Sequence, residues 1–329
     1  MRWISFALAV CITAVAALSA SAARRDVTLS LVAYSTPKEA FAKIIPAFQK
    51  TPAGQGVNFT QSYGPSGEQS RAVENGLPAD VVDFSLEPDV TRLVHDGLVS
   101  RGWNRGPTHG MVSDSVVVFV VRDGNPRRIR TWNDLIKPGV QVLTPNPFTS
   151  GGAQWNVMAA YGAQRKDGKS DTAAREYLLK LFKNVVVQDK SARDALQTYL
   201  AGKGDVLITY ENDAILAKQK GQPVQYVIPR NTILVENPVA IVNKSKNVVA
   251  AKAFVTFLRS PTAQAIFAQN GYRPVIPSVA AKFAFPKRPG LFTIESRWIG
   301  GWDKVERRFF DTRNGVMADI ERKVGGSTG

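Results

Sequence analysis

The chain has 329 residues, of which 44% are hydrophobic and 21% are charged. This composition is typical of a globular protein long enough for two domains, and it excludes a disordered or fibrous chain. The formal net charge is +15, but the basic residues are dispersed and are not interleaved with aromatic residues. We therefore expect no nucleic-acid partner, because a concentrated basic patch rather than total charge marks nucleic-acid binding.

Residues 1–22 have the pattern of a secretory signal peptide. Arg2 provides a short basic start, residues 4–18 are apolar except for Ser5 and Thr13, and Ala20-Ser21-Ala22 is an A-x-A cleavage site. We predict export to the periplasm, with cleavage near Ala22. The single cysteine, Cys11, would leave with the signal, which excludes disulfides and Cys-ligated metals in the mature chain.

Strands and helices alternate through the first third of the mature chain. The predicted elements are a strand at 27–34, a helix at 38–49, a strand at 56–63, a helix at 68–75, a strand at 80–85 and a helix at 88–96. This alternation is typical of βα units built on a mostly parallel sheet.

The remaining elements indicate a second unit inserted in the first. Predicted strands lie at 115–122, 140–143, 185–187, 205–210 and 238–243, and predicted helices at 172–183, 193–201, 248–259, 262–270 and about 303–322. Two β-rich stretches, near 115–122 and 224–242, divide the pattern into thirds. We predict a two-lobed α/β protein, with lobe 1 formed by residues 27–115 and 232–329 and lobe 2 by residues 116–231.

The segment 144–158 carries no charged side chain, although the whole chain is strongly basic. Its sequence indicates a strand end, a proline-stiffened turn and a helix that starts at Ser150-Gly151-Gly152. A helix start presents unpaired backbone N–H groups and a partial positive charge, so it can hold an anion. A site here would bind with dipoles instead of Lys or Arg, which predicts a small oxyanion held by backbone amides.

Four turns share the order strand, Ser or Thr, helix: Thr36-Pro37-Lys38-Glu39, Ser66-Gly67-Glu68-Gln69, Thr149-Ser150-Gly151-Gly152 and Ser191-Ala192-Arg193-Asp194. A plain N-cap explains each turn alone, and the first two have the pattern of capping boxes. Ligands of open α/β sheets, however, bind at the carboxyl ends of strands, where helices begin. We therefore predict a cleft between the lobes that is lined by Ser35, Ser66, Ser150, Gly151, Gly152 and Ala192. The glycines, including Gly67, would let a ligand approach the backbone closely.

The predicted set of residues supplies hydrogen-bond donors and no carboxylate. Sulfate is an unprotonated dianion at neutral pH and needs donors only, whereas phosphate usually keeps a proton that profits from a carboxylate acceptor. The residues therefore favour an unprotonated oxyanion such as sulfate, thiosulfate or molybdate.

From residue 27 to about residue 302, the chain resembles the periplasmic sulfate/thiosulfate-binding proteins of ABC uptake systems. The resemblance is carried by Ser62-Tyr63-Gly64-Pro65-Ser66-Gly67-Glu68-Gln69, Gly124-Asn125-Pro126, Trp132-Asn133-Asp134-Leu135-Ile136-Lys137-Pro138-Gly139-Val140, Thr144-Pro145-Asn146-Pro147, Ser150-Gly151-Gly152-Ala153-Gln154-Trp155-Asn156, Glu211-Asn212 and Tyr272-Arg273-Pro274. The long block from 132 to 155 is highly specific.

The resemblance implies a type II periplasmic-binding fold, in which two lobes close on a dehydrated sulfate. Each lobe would have a mostly parallel sheet flanked by helices. The matching ligand positions are Ser35, Ser66, Ser150, Gly151, Gly152, Ala192 and Tyr210. Ser66 and Ser150 would give hydroxyl and backbone donors, and Gly151, Gly152 and Ala192 would give N–H groups. Arg193 would lie beside the site, either paired with a carboxylate or exposed. The implied partner is an ABC permease, and we expect a monomer.

The chain departs from the familiar members of that family at two positions. Those members carry Asp-Pro where this chain has Ser35-Thr36, and Trp where it has Tyr210. A backbone donation at Ser35 would survive the first change. An indole N–H only donates, whereas a phenol O–H donates or accepts, so another oxyanion, molybdate or phosphate, stays open as the ligand.

Two other classes of protein are alternatives. Gly64-Pro65-Ser66-Gly67-Glu68 partly resembles the nucleophile elbow of a hydrolase but lacks its second glycine, and neither His95 nor His109 is placed to act as base. A ferric-ion carrier would need paired tyrosines, for which Tyr34, Tyr63 and Tyr210 are candidates. We predict no enzyme, no cofactor and no resident metal.

Overall fold

The computed structural model describes residues 26–287 and 289–328. The predicted signal peptide lies outside these residues. Ten strands within the described ranges join in one hydrogen-bonded sheet, and helices pack against it through a large apolar core. Nowhere in the described ranges does a helix have the length and apolar character needed to cross a bilayer.

The strands in chain order are β1 (Val27–Tyr34), β2 (Val57–Gly64), β3 (Val81–Asp83), β4 (Met111–Arg122), β5 (Val142–Leu143), β6 (Val185–Val187), β7 (Val206–Tyr210), β8 (Val224–Val227), β9 (Asn231–Ile241) and β10 (Gly290–Phe292). Hydrogen bonds order them as β2-β1-β3-β9-β4-β7-β5-β6, with β10 beside β9 and β8 beside β4.

The helices are α1 (Lys38–Gln49), α2 (Ser66–Glu74), α3 (Glu87–His95), α4 (Gly151–Lys166), α5 (Asp171–Lys183), α6 (Ala192–Leu200), α7 (Glu211–Gln219), α8 (Val248–Leu258), α9 (Pro261–Gln269), α10 (Pro277–Ala280), α11 (Trp302–Val305) and α12 (Val316–Val324). A short 3-10 helix covers Trp132–Ile136.

Two long strands, β4 and β9, connect the two lobes. Residues 111–116 of β4 pair antiparallel with β9, whereas residues 117–121 pair with β7. The last residues of β9, 239–241, pair with β3. We therefore call β1–β3 with the end of β9 the sheet of lobe 1, and β5–β8 with the second half of β4 the sheet of lobe 2. The residue boundaries predicted for the lobes stay a prediction.

The sheet of lobe 1 is covered on both faces. In β1, Leu31 belongs to the largest apolar cluster, whereas its neighbour Val32 belongs to a second cluster with Val82 and Phe84. Alternate residues of a strand point to opposite faces, so helices must cover both sides of this parallel pair. Burial of each Val or Leu contributes about 1.5–3 kcal/mol to folding. These buried residues hold the strands in place, and with them the strand ends at which the predicted serines lie.

The prediction of one helix at about 303–322 is wrong. The segment forms α11, then a π-helical turn at Glu306–Phe310, and then α12. The carboxylate of Asp311 accepts hydrogen bonds from the N–H groups of Arg313 and Asn314, and this local turn competes with helix. The α12 helix packs on α5 instead of continuing the line of α11.

Helix α7 has no counterpart among the predicted elements. Its first three residues, Glu211, Asn212 and Asp213, are buried polar groups, so its sequence lacks the one-sided apolar pattern from which a surface helix is predicted. Its start, directly after Tyr210, nevertheless repeats the strand-to-helix order of the four predicted turns.

Where the lobes join, two carboxyl groups meet across the connecting strands. Asp114 of β4 is the register partner of Glu236 of β9. Burial raises the pKa of Asp114 to about 8, with the charge of Glu236 adding to this and that of Arg273 opposing it. The native state therefore holds Asp114 protonated at neutral pH.

We predict that Asp114→Asn flattens the pH dependence of stability. An unfolded Asp titrates near pH 4, so between about pH 4 and pH 8 the native state binds a proton that the unfolded state releases. Stability from this group is thus present at low pH and lost as the pH rises to about 8. We would measure the free energy of unfolding of Asp114→Asn and of the wild type in urea between pH 5 and pH 8. The slopes of this free energy against pH should differ by up to about 1.4 kcal/mol per pH unit. The exposed Asp96→Asn is the control, and an unchanged slope in Asp114→Asn would contradict the assignment.

Candidate functional site

The start of α4 leaves several hydrogen-bond donors free. Ser150 is the N-cap residue, yet its hydroxyl makes no capping hydrogen bond. The N–H groups of Ala153 and Gln154 donate to the Ser150 carbonyl, whereas those of Gly151 and Gly152 belong to the first turn, which has no acceptor within the helix. The side chain of Ser150 therefore does not cap the helix. Its hydroxyl and the backbone N–H groups of Gly151 and Gly152 remain available for a ligand.

Four of the predicted residues surround one point. A Cβ atom added at Gly152 would lie 3.4 Å from Ser150 Oγ, 3.5 Å from Ala192 Cβ and 3.7 Å from the Tyr210 hydroxyl. Ser150, Ala192 and Tyr210 each stand at the start of a different helix, α4, α6 and α7. All three residues are buried. The structure thus collects hydroxyl and N–H donors around a space that Gly152 leaves open, and we call it the donor pocket.

The start of α6 differs from that of α4. Ser191 accepts a hydrogen bond from the N–H of Asp194, so the prediction that Ser191 caps this helix is confirmed. The N–H of Ala192 precedes that bond and lies in the first turn, where the helix offers no acceptor. Ser191 therefore fixes the helix start, while Ala192 presents its donor.

In lobe 1, the hydroxyl of Ser66 is already used. Ser66 Oγ donates to Asp89 Oδ2 at 2.6 Å and accepts from the Ser85 N–H at 2.9 Å. The capping box predicted at Ser66 is absent, because Pro65 is the N-cap and no side chain caps α2. Donation of the Ser66 hydroxyl to a ligand is incompatible with this arrangement, so only its backbone N–H remains. Nearby, a Cβ at Gly67 would lie 3.2 Å from the carbonyl oxygen of Thr149, so the lobes meet at a glycine.

Ser35 is buried at the carboxyl end of β1. The capping box predicted at Thr36 is also absent, since Pro37 is the N-cap without a side-chain bond. The Thr36 hydroxyl lies 3.1 Å from that of Tyr272, and its carbonyl accepts from Arg193 at 3.1 Å. Unlike Ser150, Ala192 and Tyr210, Ser35 is not among the nearest neighbours of the Gly152 position. Ser35 is linked to lobe 2 through its neighbour Thr36, whose carbonyl oxygen accepts the hydrogen bond from Arg193.

Arg193 bridges the lobes and does not stand free as a counter-ion. Its guanidinium binds one carboxylate oxygen of Glu39, and Lys220 binds the other at 2.9 Å. Partial burial favours the neutral acid, but the hydrogen bond from Lys220 and the charge of Arg193 together lower the pKa of Glu39. Two cations of lobe 2 therefore hold one anion of lobe 1, and the guanidinium of Arg193 is directed at Glu39 instead of standing free as a counter-ion.

A second carboxyl group lies behind the donor pocket. Asp213, in the first turn of α7, is completely buried and accepts a hydrogen bond from Thr209 at 2.7 Å. Burial raises its pKa to about 6, although the charge of Arg193 opposes the rise. Arg193 thus lies between the acidic groups Glu39 and Asp213.

Sequence reasoning missed Ser85, which lies at the centre of the lobe contact. Its hydroxyl is 2.6 Å from that of Tyr210, and its carbonyl accepts from Trp155 Nε1 at 2.8 Å. A Cβ at Gly151 would lie 2.9 Å from Ser85 Cβ and 2.7 Å from Leu86 Cδ2, so Gly151 permits this contact. The signal was present in the sequence: the predicted strand 80–85 ends in Ser85, and a helix follows at Pro88.

Three observations bear on the alternative classes of protein. The hydroxyl of Ser66 is bonded to Asp89, and both histidines are exposed. Burial raises the pKa of Tyr34, Tyr63 and Tyr210, which disfavours the phenolates that a ferric-ion carrier would use. The described ranges also contain no group of three or more His, Cys, Asp or Glu placed to hold a metal ion.

Comparison with known proteins identifies the family to which the chain belongs. Residues 29–273 match the family model described as bacterial extracellular solute-binding protein. The chain belongs to this family. It is 40% identical to the sulfate-binding protein of Synechococcus elongatus, with 94% of this chain and 90% of that protein covered. It is 37% identical to the thiosulfate-binding protein of Pseudomonas aeruginosa, with 85% and 88% covered.

A solved structure shares the architecture. The sulfate-binding protein SubI from Mycobacterium tuberculosis H37Rv is 44% identical to the chain and matches it with a TM-score of 0.84, with 87% of this chain and all of that chain covered. The predicted two-lobed periplasmic-binding fold is thereby confirmed.

We predict that Gly152→Ala strongly weakens anion binding by this solute-binding protein without unfolding it. The new methyl would meet its neighbours at ordinary contact distances, and Ala favours a helix by up to about 1 kcal/mol over Gly. The methyl would fill the donor pocket, so affinity measured by calorimetry should fall at least about 100-fold, as expected for losing one or two bonds to a charged group. Gly152→Asp should abolish binding.

The control is Gly102→Ala, whose methyl would meet only the side chain of Arg105. Unchanged affinity in Gly152→Ala would place the site elsewhere. A large drop in melting temperature would show that Gly152 has a folding role instead.

We also predict that Glu39→Gln weakens ligand binding about 3–10-fold. The Arg193 and Lys220 pairs exist only when the lobes are in contact, and ion pairs of this exposure contribute modestly to that closed state. Small-angle scattering should detect a larger radius of gyration for ligand-free Glu39→Gln than for the ligand-free wild type, because the lobes would be closed less often. The exposed Glu74→Gln is the control, and equal affinity for wild type and Glu39→Gln would contradict the role of the bridge.

Proposed function

We propose that this chain is the extracytoplasmic solute-binding subunit of an ABC importer that captures sulfate and delivers it to a membrane permease. Thiosulfate is the alternative ligand. The observation that supports this proposal most directly is the donor pocket, where Ser150, Gly152, Ala192 and Tyr210 converge. No charged side chain is among the nearest neighbours of the Gly152 position. Relatives named as sulfate-binding and thiosulfate-binding proteins match along most of the chain.

Helix starts supply the binding energy in this proposal. Burying a dianion is costly unless each of its oxygens accepts hydrogen bonds. A hydrogen bond to a charged group contributes about 1.5–3 kcal/mol, and the positive ends of α4 and α6 add their dipoles. The N–H groups of Gly151, Gly152 and Ala192 with the hydroxyl of Ser150 form such a set, while Ser66 and Ser35 would add backbone donors from lobe 1.

The donor pocket favours sulfate over phosphate. Its nearest polar side chains are hydroxyls, and the carboxyl groups around it are engaged: Asp89 with Ser66, Asp213 with Thr209, and Glu39 with Arg193. Each of these three carboxyl groups thus already has a partner, and none of them is among the nearest neighbours of the Gly152 position. The hydroxyls of Ser150 and Tyr210 can each donate or accept, and Tyr210 is the one that replaces the donor-only indole of the familiar family members.

Several further parts of the proposal follow from this role. The protein would act in the periplasm as a monomer after cleavage near Ala22, and its two lobes, at the predicted boundaries 27–115 with 232–329 and 116–231, would open and close around the ligand. Arg193 and Gly67 would support the site without touching the ligand. The partner would be an ABC permease, and neither metal nor cofactor would take part.

Calorimetric titration of the mature protein with sulfate, thiosulfate, molybdate and phosphate tests the proposal. Bound anion must first be removed by unfolding, dialysis and refolding. We expect tight 1:1 binding of sulfate, with a dissociation constant at least about 100-fold below that of phosphate, as for two unmatched hydrogen bonds. Tight binding of phosphate or molybdate with no response to sulfate and thiosulfate would overturn it.

A further inference from the structure

Ser85 and Tyr210 form a hydrogen-bonded pair of hydroxyls that joins the two lobes. Ser85 follows β3 in lobe 1, Tyr210 ends β7 in lobe 2, and their oxygens are 2.6 Å apart. Each residue is only 1% exposed. Tyr210 is the hydrogen-bond partner of the Ser85 hydroxyl within the described residues.

The backbone of Ser85 is held on both sides. Its N–H donates to Ser66 Oγ, and its carbonyl accepts from Trp155 Nε1 and from Asn237 Nδ2 at 2.9 Å. The hydroxyl is therefore the one polar group of Ser85 that is free to choose a direction. A Cβ atom at Gly151 would lie 3.0 Å from Ser85 Oγ, so the glycine leaves room for this hydroxyl, and the phenol oxygen of Tyr210, 2.6 Å away, is within reach as its acceptor.

A pair of hydroxyls has two possible polarities. If Ser85 donates, the Tyr210 proton is left to point elsewhere, and the donor pocket lies beside it, with the Gly152 position 3.7 Å away. If Tyr210 donates, its oxygen faces the donor pocket as an acceptor. An anion without a proton can only accept, so it is bound by the first polarity and rejected by the second.

We propose that Ser85 is a positioning residue that donates to Tyr210, aims the phenol O–H at the ligand, and so makes the donor pocket selective for oxyanions that carry no proton. The inference rests on the proposed function and specifies how the site would choose its ligand. In this role Ser85 lets a phenol act as a donor only, as an indole N–H would. A phosphate bearing its proton finds the phenol oxygen already occupied.

Three variants separate this hydrogen bond from simple packing. Ser85→Ala removes the donor, Ser85→Cys keeps a side chain of similar size with a weak donor, and Tyr210→Phe removes the phenol. Calorimetry at pH 7.5 with sodium sulfate and with sodium phosphate gives two dissociation constants for each variant. Melting curves establish that each variant is folded.

We expect Ser85→Ala and Ser85→Cys to bind sulfate about 3–10-fold more weakly. The preference for sulfate over phosphate should fall about tenfold, because the freed phenol oxygen can accept the phosphate proton. Tyr210→Phe should also weaken sulfate binding, and adding Ser85→Ala to it should cost nothing more, since the two residues act as one unit.

The outcomes distinguish this inference from the proposed function. A wild-type protein that ignores sulfate overturns both. A wild type that binds sulfate while Ser85→Ala keeps its preference over phosphate overturns only the role of Ser85. Additive losses in the double variant, or wild-type behaviour of Ser85→Cys beside a defective Ser85→Ala, would assign Ser85 a packing role. If Ser85→Ala does not fold, Ser85→Cys and Tyr210→Phe decide the matter.

Discussion

The structure depends on donors that the protein does not satisfy by itself. The first turn of every helix has N–H groups without internal acceptors, and most proteins cover them with water or a side-chain cap. Here the side chain of Ser150 does not cap α4, although Ser191 does cap α6. The uncapped start lies in the contact between the lobes, where burial makes unsatisfied donors costly. An oxyanion bound as proposed would accept hydrogen bonds from them and remove that cost.

Ion pairs between the lobes hold this arrangement together. Arg193, which follows Ala192 in the chain, and Lys220 both bind Glu39, so their charge joins the lobes. Gly151 lies so close to Leu86 and Ser85 that a side chain there would require these two residues of lobe 1 to move. In the proposed site, Gly151 and Tyr210 serve both the lobe contact and the ligand, whereas Arg193 and Lys220 serve the lobe contact alone.

Local sequence patterns predicted most of the fold and three of the four residues that converge in the donor pocket, Ser150, Gly152 and Ala192, whereas Tyr210 was predicted from the resemblance alone. Strand-to-helix alternation and the uncharged turn at Ser150-Gly151-Gly152 are local signals, and the structure places this turn at a helix start in the lobe contact. The partners of each hydroxyl are not local: Ser66 bonds to Asp89, Thr36 approaches Tyr272, and Ser85 meets Tyr210. Chain topology decides these pairs, so capping boxes predicted from spacing at Thr36 and Ser66 gave way to long-range bonds.

Trp155 gives the closed state an optical signature. Its indole, fully buried and stacked edge-to-face at 4.7 Å on Trp302, donates across the cleft to the Ser85 carbonyl. Separation of the lobes would replace that carbonyl by water and change the polarity around one defined indole. The chain thus contains a natural fluorophore at the contact that closure makes, and its emission would follow the domain motion without an attached dye.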